Sequence, residues 1–200
     1  LDSNCYDLLA SEARLASFVA IANGDIPARH WFRLGRSVVR VRHGAALVSW
    51  SGSMFEYLMP SLVMRAPAGS LLEQTSHLVV DRQQAYGRKL GVPWGISESA
   101  YNARDLERTY QYSSFGVPGL GLKRGLSENT VVAPYATALA AMVRPHAAVR
   151  NFARLEHIDA RGLYGFYEAL DYTARRLQAG ESFAIVRAYM AHHQGMTIVA

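Results

Sequence analysis

Gly91-Val-Pro-Trp-Gly-Ile-Ser-Glu-Ser-Ala-Tyr101 places a carboxylate, Glu98, in a stretch punctuated by Pro93, Gly95 and two serines, with Trp94 and Tyr101 beside it. Glycine and proline turn the backbone sharply, so this reads as a loop between helices. An acid beside aromatic rings in such a loop suits carbohydrate chemistry. Rings stack on sugar faces, and apolar surroundings shift the proton affinity of the acid. The competing reading is a solvated Glu in a serine-rich turn.

Upstream, Leu71 to Leu90 reads as a helix stopped by Gly91, with Leu71, Thr75, Leu78, Val79, Ala85, Tyr86 and Leu90 on one broad face. Ser51 and Ser53 are candidate caps for a helix through Met54 to Met59, with Pro60 behind it. The Val-rich stretch Ser37 to Trp50, broken at His43-Gly44, reads as a short hairpin. Tyr6 to Ala22 reads as an amphipathic helix closed by Asn23-Gly24, with Leu8, Glu12, Leu15, Val19 and Ala22 on one face. On that stripe Glu12 must be paired, protonated or lining a cavity.

Downstream, Tyr110 to Gly125 is loop-like. Val131 to Met142 and Pro145 to Ile158 read as a helical hairpin, the second stripe carried by Val149, Phe152 and Leu155. Gly162 to Asp171 is a second glycine-and-aromatic loop with acids, and Ser182 to Ala200 reads as a last helix, broken or bent near Gly195. Helix, acid-bearing loop and helix alternate without a fixed-period repeat or a clear linker. Residues 1–200 therefore read as one domain, and the pattern points to a helical toroid rather than a compact four-helix bundle.

Half of the 200 residues are hydrophobic and 18% are charged, which supports a buried core and argues against disorder. No apolar run reaches the ~18 residues that span a bilayer. Leu1 to Asn4 lack the basic and apolar character of a signal peptide. The first residue is not Met and the end falls in an apolar helical run, so a piece of a longer domain is expected. The single cysteine, Cys5, excludes an internal disulfide and a cysteine metal site, and is expected to pack as a small apolar residue. The net charge of +5 comes from scattered arginines interleaved with acids, the densest group being Arg29, Arg33, Arg36, Arg40 and Arg42. No nucleic-acid motif stands behind them, so nucleic acid is not an expected partner.

Glycoside cleavage needs two carboxyl groups flanking the scissile bond. Glu12, Glu56, Glu98, Glu168 and Asp171 are the candidates, each near aromatics or glycines. Glu12 stands out by its place on the apolar stripe and Glu98 by its aromatic turn. The competing readings are a buried salt bridge for Glu12, a helix-surface acid or structural hydrogen bond for Glu56, and a loop-stabilising pair for Glu168 and Asp171. Two adjacent helical histidines, His192 and His193, point about 100° apart and share a metal poorly. No metal is expected, and His192-His193-Gln194 suit hydrogen bonds to sugar hydroxyls. There is no Gly-x-Ser-x-Gly elbow, and Gly119 to Gly125 lacks the strand and spacing of a phosphate loop.

Six stretches, Tyr6 to Arg14, Trp50 to Pro60, Trp94 to Tyr101, Val131 to Thr137, Tyr164 to Thr173 and Tyr189 to Met196, resemble the glycoamylase-like domain of cyclic β-1,2-glucan synthases. They run over essentially the whole chain in the family's order. The resemblance implies an all-α (α/α)6 toroid larger than 200 residues, of which this chain is the central part. It implies a glycoside hydrolase-type transglycosylase that cyclises β-1,2-glucan, with endo-hydrolysis or non-catalytic glucan binding as the alternatives. Glu12 and Glu98 match the catalytic pair, Glu12 as acid/base and Glu98 as its partner. Trp50, Glu56, Trp94, Tyr101, Tyr112, Tyr135, Tyr167, Glu168, His192, His193 and Gln194 would line the glucan groove. No cofactor is implied. The implied setting is a soluble domain of a large inner-membrane synthase, facing the cytoplasm beside the other domains of that chain.

Overall fold

A serine cap and a glycine stop set the longest helix among the described residues. The computed structural model describes residues 6–200; Cys5 lies outside them. Helix α1 spans Ala13–Ala22. Strands β1 (Val38–Val41) and β2 (Gly44–Leu47) form the expected hairpin, with Val41 opposite Gly44. Helix α2 (Met54–Leu58) starts in a capping box: the Ser53 hydroxyl accepts from the Glu56 amide while the Glu56 carboxylate accepts from the Ser53 amide. Helix α3 (Leu71–Leu90) is capped by Ser70 and ends at Gly91, whose φ of 72° closes it left-handed.

Downstream come β3 (Ser99–Arg104), β4 (Tyr110–Ser113), β5 (Val131–Val132), α4 (Pro134–Ala141) and α5 (Pro145–His157). They are followed by β6 (Arg161–Gly162), β7 (Gly165–Phe166), β8 (Ala169–Asp171), β9 (Ala184–Val186) and α6 (Ala191–Val199). β3 and β4 pair antiparallel, β6 and β7 form a hairpin, and β5, β8 and β9 form a three-stranded sheet in that order. The core lies between α2, α3, α4 and α5, filled by Leu47, Met54, Leu58, Val79, Leu139, Leu155 and Leu170.

The frame is helical, but the all-α expectation is corrected by nine short strands among the described residues. The loops between helices satisfy their backbone groups by pairing with one another. Tyr110–Ser113, expected to be loop, is β4. Val131–Val132 is strand, and α4 begins only at Pro134. The last helix starts at Ala191 instead of Ser182, because Ala184–Val186 pairs with β8, and it runs unbroken through Gly195. Helix α1 likewise starts at Ala13 rather than Tyr6. Leu8 forms a bridge with Gly35, and the Leu9 amide donates to the Gly35 carbonyl at 2.9 Å. The buried face of α1 is Arg14 and Ser17, while Val19 is exposed, so Glu12 lies at the helix start and not on an apolar stripe.

Candidate active site

Glu98 hangs on a loop clamped from three helices. The Asn151 side chain on α5 accepts from the Trp94 amide at 3.2 Å and donates to its carbonyl at 2.8 Å. Gln83 on α3 does the same to Ile96, at 2.8 and 2.7 Å. From α4, the Tyr135 hydroxyl bonds Ser97 Oγ at 2.8 Å and the Glu98 carbonyl at 2.9 Å. Gly95, with φ of 118°, brings this loop against Ala133, which precedes α4, and Thr137 within it. The register of β3 and β4 sets Tyr112 opposite Ala100, and the Tyr112 hydroxyl donates to Glu98 Oε1 at 2.8 Å. Burial raises the pKa of Glu98. The Tyr112 bond opposes this, the charges of Glu12 and Glu56 add to it, and His193 opposes it again.

Glu56 faces the same cleft but is saturated with donors. Its carboxylate accepts from Ser49 Oγ at 2.8 Å, Ser51 Oγ at 2.7 Å, the Ser51 amide at 3.0 Å and the Ser53 amide at 3.3 Å. The Ser51-Gly52 backbone runs so close to the chain opposite that a Cβ on Gly121 would overlap it. This turn presents Trp50, on whose ring Tyr6 stacks at 5.6 Å.

Glu12 comes alongside through the segment before α1. Ser11 Oγ donates to the Leu8 carbonyl at 2.6 Å and accepts from the Ala13 amide at 3.3 Å. The buried Arg14 guanidinium bonds the carbonyls of Leu9 and Ser11 on one side and of Glu56 and Tyr57 on the other. Burial lowers the Arg14 pKa to about 10, and the charge of Glu12 acts in the opposite sense. The Tyr6 hydroxyl is pushed well above its usual range, first by burial and then by Glu12, Glu56 and Glu98. The same hydroxyl lies 3.5 Å from Glu56 Oε1.

Tyr6, Trp50, Ser51, Glu56, Glu98 and Lys123 line a cleft of about 380 Å³, and Tyr6 and Glu12 also line an adjoining depression of about 800 Å³. Behind Glu98, Tyr135 stacks on His193 at 3.7 Å, and His193 Nδ1 lies 2.9 Å from the buried Glu168. Among the described residues, the buried side-chain N and O atoms without a hydrogen-bond partner are Glu12 Oε2, Trp50 Nε1 and Ser99 Oγ.

Of the expected groove residues, the structure brings Trp50, Glu56, Tyr112, Tyr135, Glu168 and His193 together around Glu98. Tyr167 and Gln194 border Glu168 and His193, with Gln194 tied to the Phe166 carbonyl, and His192 is exposed beside His193. Trp94 and Tyr101 are not brought to the cleft. Trp94 is 6% exposed and packs against Gly87 of α3. Tyr101 stands edge-on to Phe115 with the Arg176 guanidinium over its ring. Asp171 is buried in an ion pair with Arg176 at 2.6 Å, a structural pair of its own.

Residues 4–200 match the family model Glycoamylase, described as "Putative glucoamylase". The chain belongs to the glycoamylase-like family. It is 58% identical over all 200 residues to the cyclic beta-(1,2)-glucan synthase NdvB of Rhizobium meliloti (strain 1021), and spans 7% of the length of that protein. Among solved structures it is similar to an endo-beta-1,2-glucanase from Chitinophaga pinensis, with a TM-score of 0.62 at 14% identity over 87% of this chain and 43% of that one. A Bacteroides uniformis protein bearing the same description as the family model has a TM-score of 0.57 at 18% identity, again over 87% and 43%. These likenesses establish a glucoamylase-like helical fold.

Within this glycoamylase-like chain, sequence reasoning missed Tyr6, Arg14, Gln83, Asn151 and Ser49, and read Ser51 and Ser53 as helix caps without their bonds to the Glu56 carboxylate. Gln83 follows Thr75 and Val79 on the buried face of α3, and Asn151 lies between Ala147 and Leu155 on that of α5, each at spacings of four. An amide on an apolar stripe needs a buried partner, and that was the available signal. Ser53-x-x-Glu56 is a capping-box pattern visible in the sequence. Nothing local marks Arg14 or Tyr6, whose partners come from distant segments.

Proposed function

We propose that this chain is a glycoside hydrolase-type transglycosylase domain acting on β-1,2-glucan, cyclising chains with Glu12 as acid/base and Glu98 as its carboxylate partner. The observation that carries this reading is the meeting of Glu98 with the Tyr6 and Trp50 rings in one cleft, beside a depression lined by Tyr6 and Glu12. The Tyr6–Trp50 stack offers rings for sugar faces. Two carboxyl groups supply the proton for the leaving oxygen and the nucleophile or base, so the reaction needs no cofactor.

The NdvB likeness supports β-1,2-glucan as the substrate and a multidomain parent chain, proposed here as an inner-membrane synthase with this domain facing the cytoplasm. Solved relatives more than twice the length of this chain support its being the central part of an (α/α)6 toroid. Among the described residues no helix is long and apolar enough to cross a membrane.

Transfer and hydrolysis differ in whether a sugar hydroxyl or water reaches the reacting centre. The test is mass spectrometry of linear β-1,2-glucan incubated with the full-length protein. Products one water lighter than linear chains of equal length are expected. Shorter linear products would replace cyclisation by endo-hydrolysis, and unchanged glucan would remove both and leave a binding domain.

A further inference from the structure

The Glu168–His193 pair is built with more care than a groove wall requires. Both side chains are buried, to 0% and 1% exposure, and both Glu168 oxygens lie within 3.0 Å of His193 Nδ1. Glu168 also accepts from the Ala100 amide on β3 at 3.1 Å, which aligns it from a second element. The imidazole is fixed face-on by Tyr135. Its other nitrogen, Nε2, lies 3.5 Å from the Tyr112 hydroxyl, which donates to Glu98 Oε1 at 2.8 Å.

We propose that Glu168 and His193 form a positioning relay for Glu98, holding the Tyr112 hydroxyl as a bridge along which a proton passes between His193 Nε2 and the Glu98 carboxylate. This rests on the reading of Glu98 as a reacting carboxylate. In one arrangement His193 carries protons on both nitrogens. Nδ1–H donates to Glu168, Nε2–H donates to the Tyr112 oxygen, and Tyr112 donates to a charged Glu98. In the other, the Tyr112 proton has moved to Glu98 and the Nε2 proton to the Tyr112 oxygen, whose hydroxyl now points at an Nε2 lone pair. Two protons move and the total charge is unchanged.

The Tyr112 phenol suits a bridge, because burial and then Glu98 hold its pKa well above the usual value. Glu12 and Glu56 act on Glu98 from the segment before α1 and from α2, against His193 on α6. His193 is bordered by Glu168, Tyr112, Tyr135 and His192, the last held neutral-leaning by burial and by His193 itself.

The test has two readouts in the full-length protein. One is the pH profile of β-1,2-glucan conversion for wild type, His193→Gln, Glu168→Gln and Tyr112→Phe. The limb on which Glu98 titrates should move up in His193→Gln, since the His193 charge that favours its charged form is gone. The combined Tyr112→Phe, His193→Gln protein should show no more shift than the larger single change. The other readout needs no turnover: the ¹⁹F resonance of 3-fluorotyrosine installed at position 112. It should change with pH, and the change should be altered by Glu98→Gln, His193→Gln and Glu168→Gln alike. Loss of glucan conversion in wild type would defeat the proposed function, whereas a ¹⁹F titration indifferent to His193→Gln and Glu168→Gln would overturn the relay alone. If His193→Gln does not fold, Glu168→Gln carries the same comparison.

Discussion

Glu56 and Glu98 border one cleft and are built in opposite ways. Glu56 is 3% exposed, yet three serines close on its carboxylate and turn it into the knot that holds the Trp50–Ser53 turn. Glu98 has a single side-chain donor, Tyr112, while nearby Glu12 has a buried oxygen with no partner among the described residues. A carboxylate saturated with donors fixes backbone; one left short of them is available to a substrate. Burial alone does not mark a catalytic acid, and the count of donors around it separates the two roles.

The sharpest way to break that contrast is to neutralise the under-bonded acids. Glu12→Gln and Glu98→Gln should each lower glucan conversion by about 10³-fold or more. Their circular dichroism should match wild type, and the double variant should be no worse than the poorer single one, as for groups acting as a unit. Substantial activity in either variant would exclude that residue from the pair. Glu56→Ala should fail in the other sense. It strands the Ser49, Ser51 and Ser53 donors and should cost about 3 kcal/mol in a urea titration. A Glu56→Ala protein as stable as wild type would erase the distinction drawn here.

The same contrast separates what the sequence disclosed from what it hid. The Leu71–Leu90 helix and the hairpin at Val38–Leu47 were legible, because caps, stops and β-branched residues act locally. Glu98, singled out by its turn, does border the cleft. Glu12 was picked for a stripe that does not exist, since the bridge to Gly35 takes Leu8 and Leu9 out of the helix. Trp94 and Tyr101 neighbour Glu98 in sequence but point away from it, and sequence adjacency carries no direction. The strands were hidden for a related reason: β5, β8 and β9 are two or three residues long, too short to show a period of two, and are made by partners 13 to 40 residues apart.

Arg14 ties these two regions together and offers a finer test. Its guanidinium spans carbonyls from the Glu12 segment and from α2, a fork that one ammonium cannot reproduce. Arg14→Lys should cost about 2 kcal/mol of stability by thermal melt. It should also depress conversion through Glu12 while leaving the Glu56 knot in place. Unchanged activity would show that the Glu12 segment holds its position without this clasp.

The smallest effect is the most diagnostic of how Glu98 is held. Its pKa is raised from the ordinary 4.5, chiefly by burial, so the folded protein keeps this proton more tightly than the unfolded chain. Below the ordinary value both states are protonated and the acid costs nothing. As pH rises from there to the raised value, the unfolded chain releases its proton first and stability falls; above that window the loss is constant. Glu98→Gln keeps an acceptor for Tyr112 and cannot ionise. Its melting temperature should therefore equal that of wild type well below pH 4.5 and exceed it at neutral pH. An inactive but stabler protein would mean that the fold tolerates a strained carboxylate for the sake of chemistry. A difference independent of pH would mean that Glu98 is as comfortable as Glu56, and the distinction between the two acids would have to be sought in Glu12 alone.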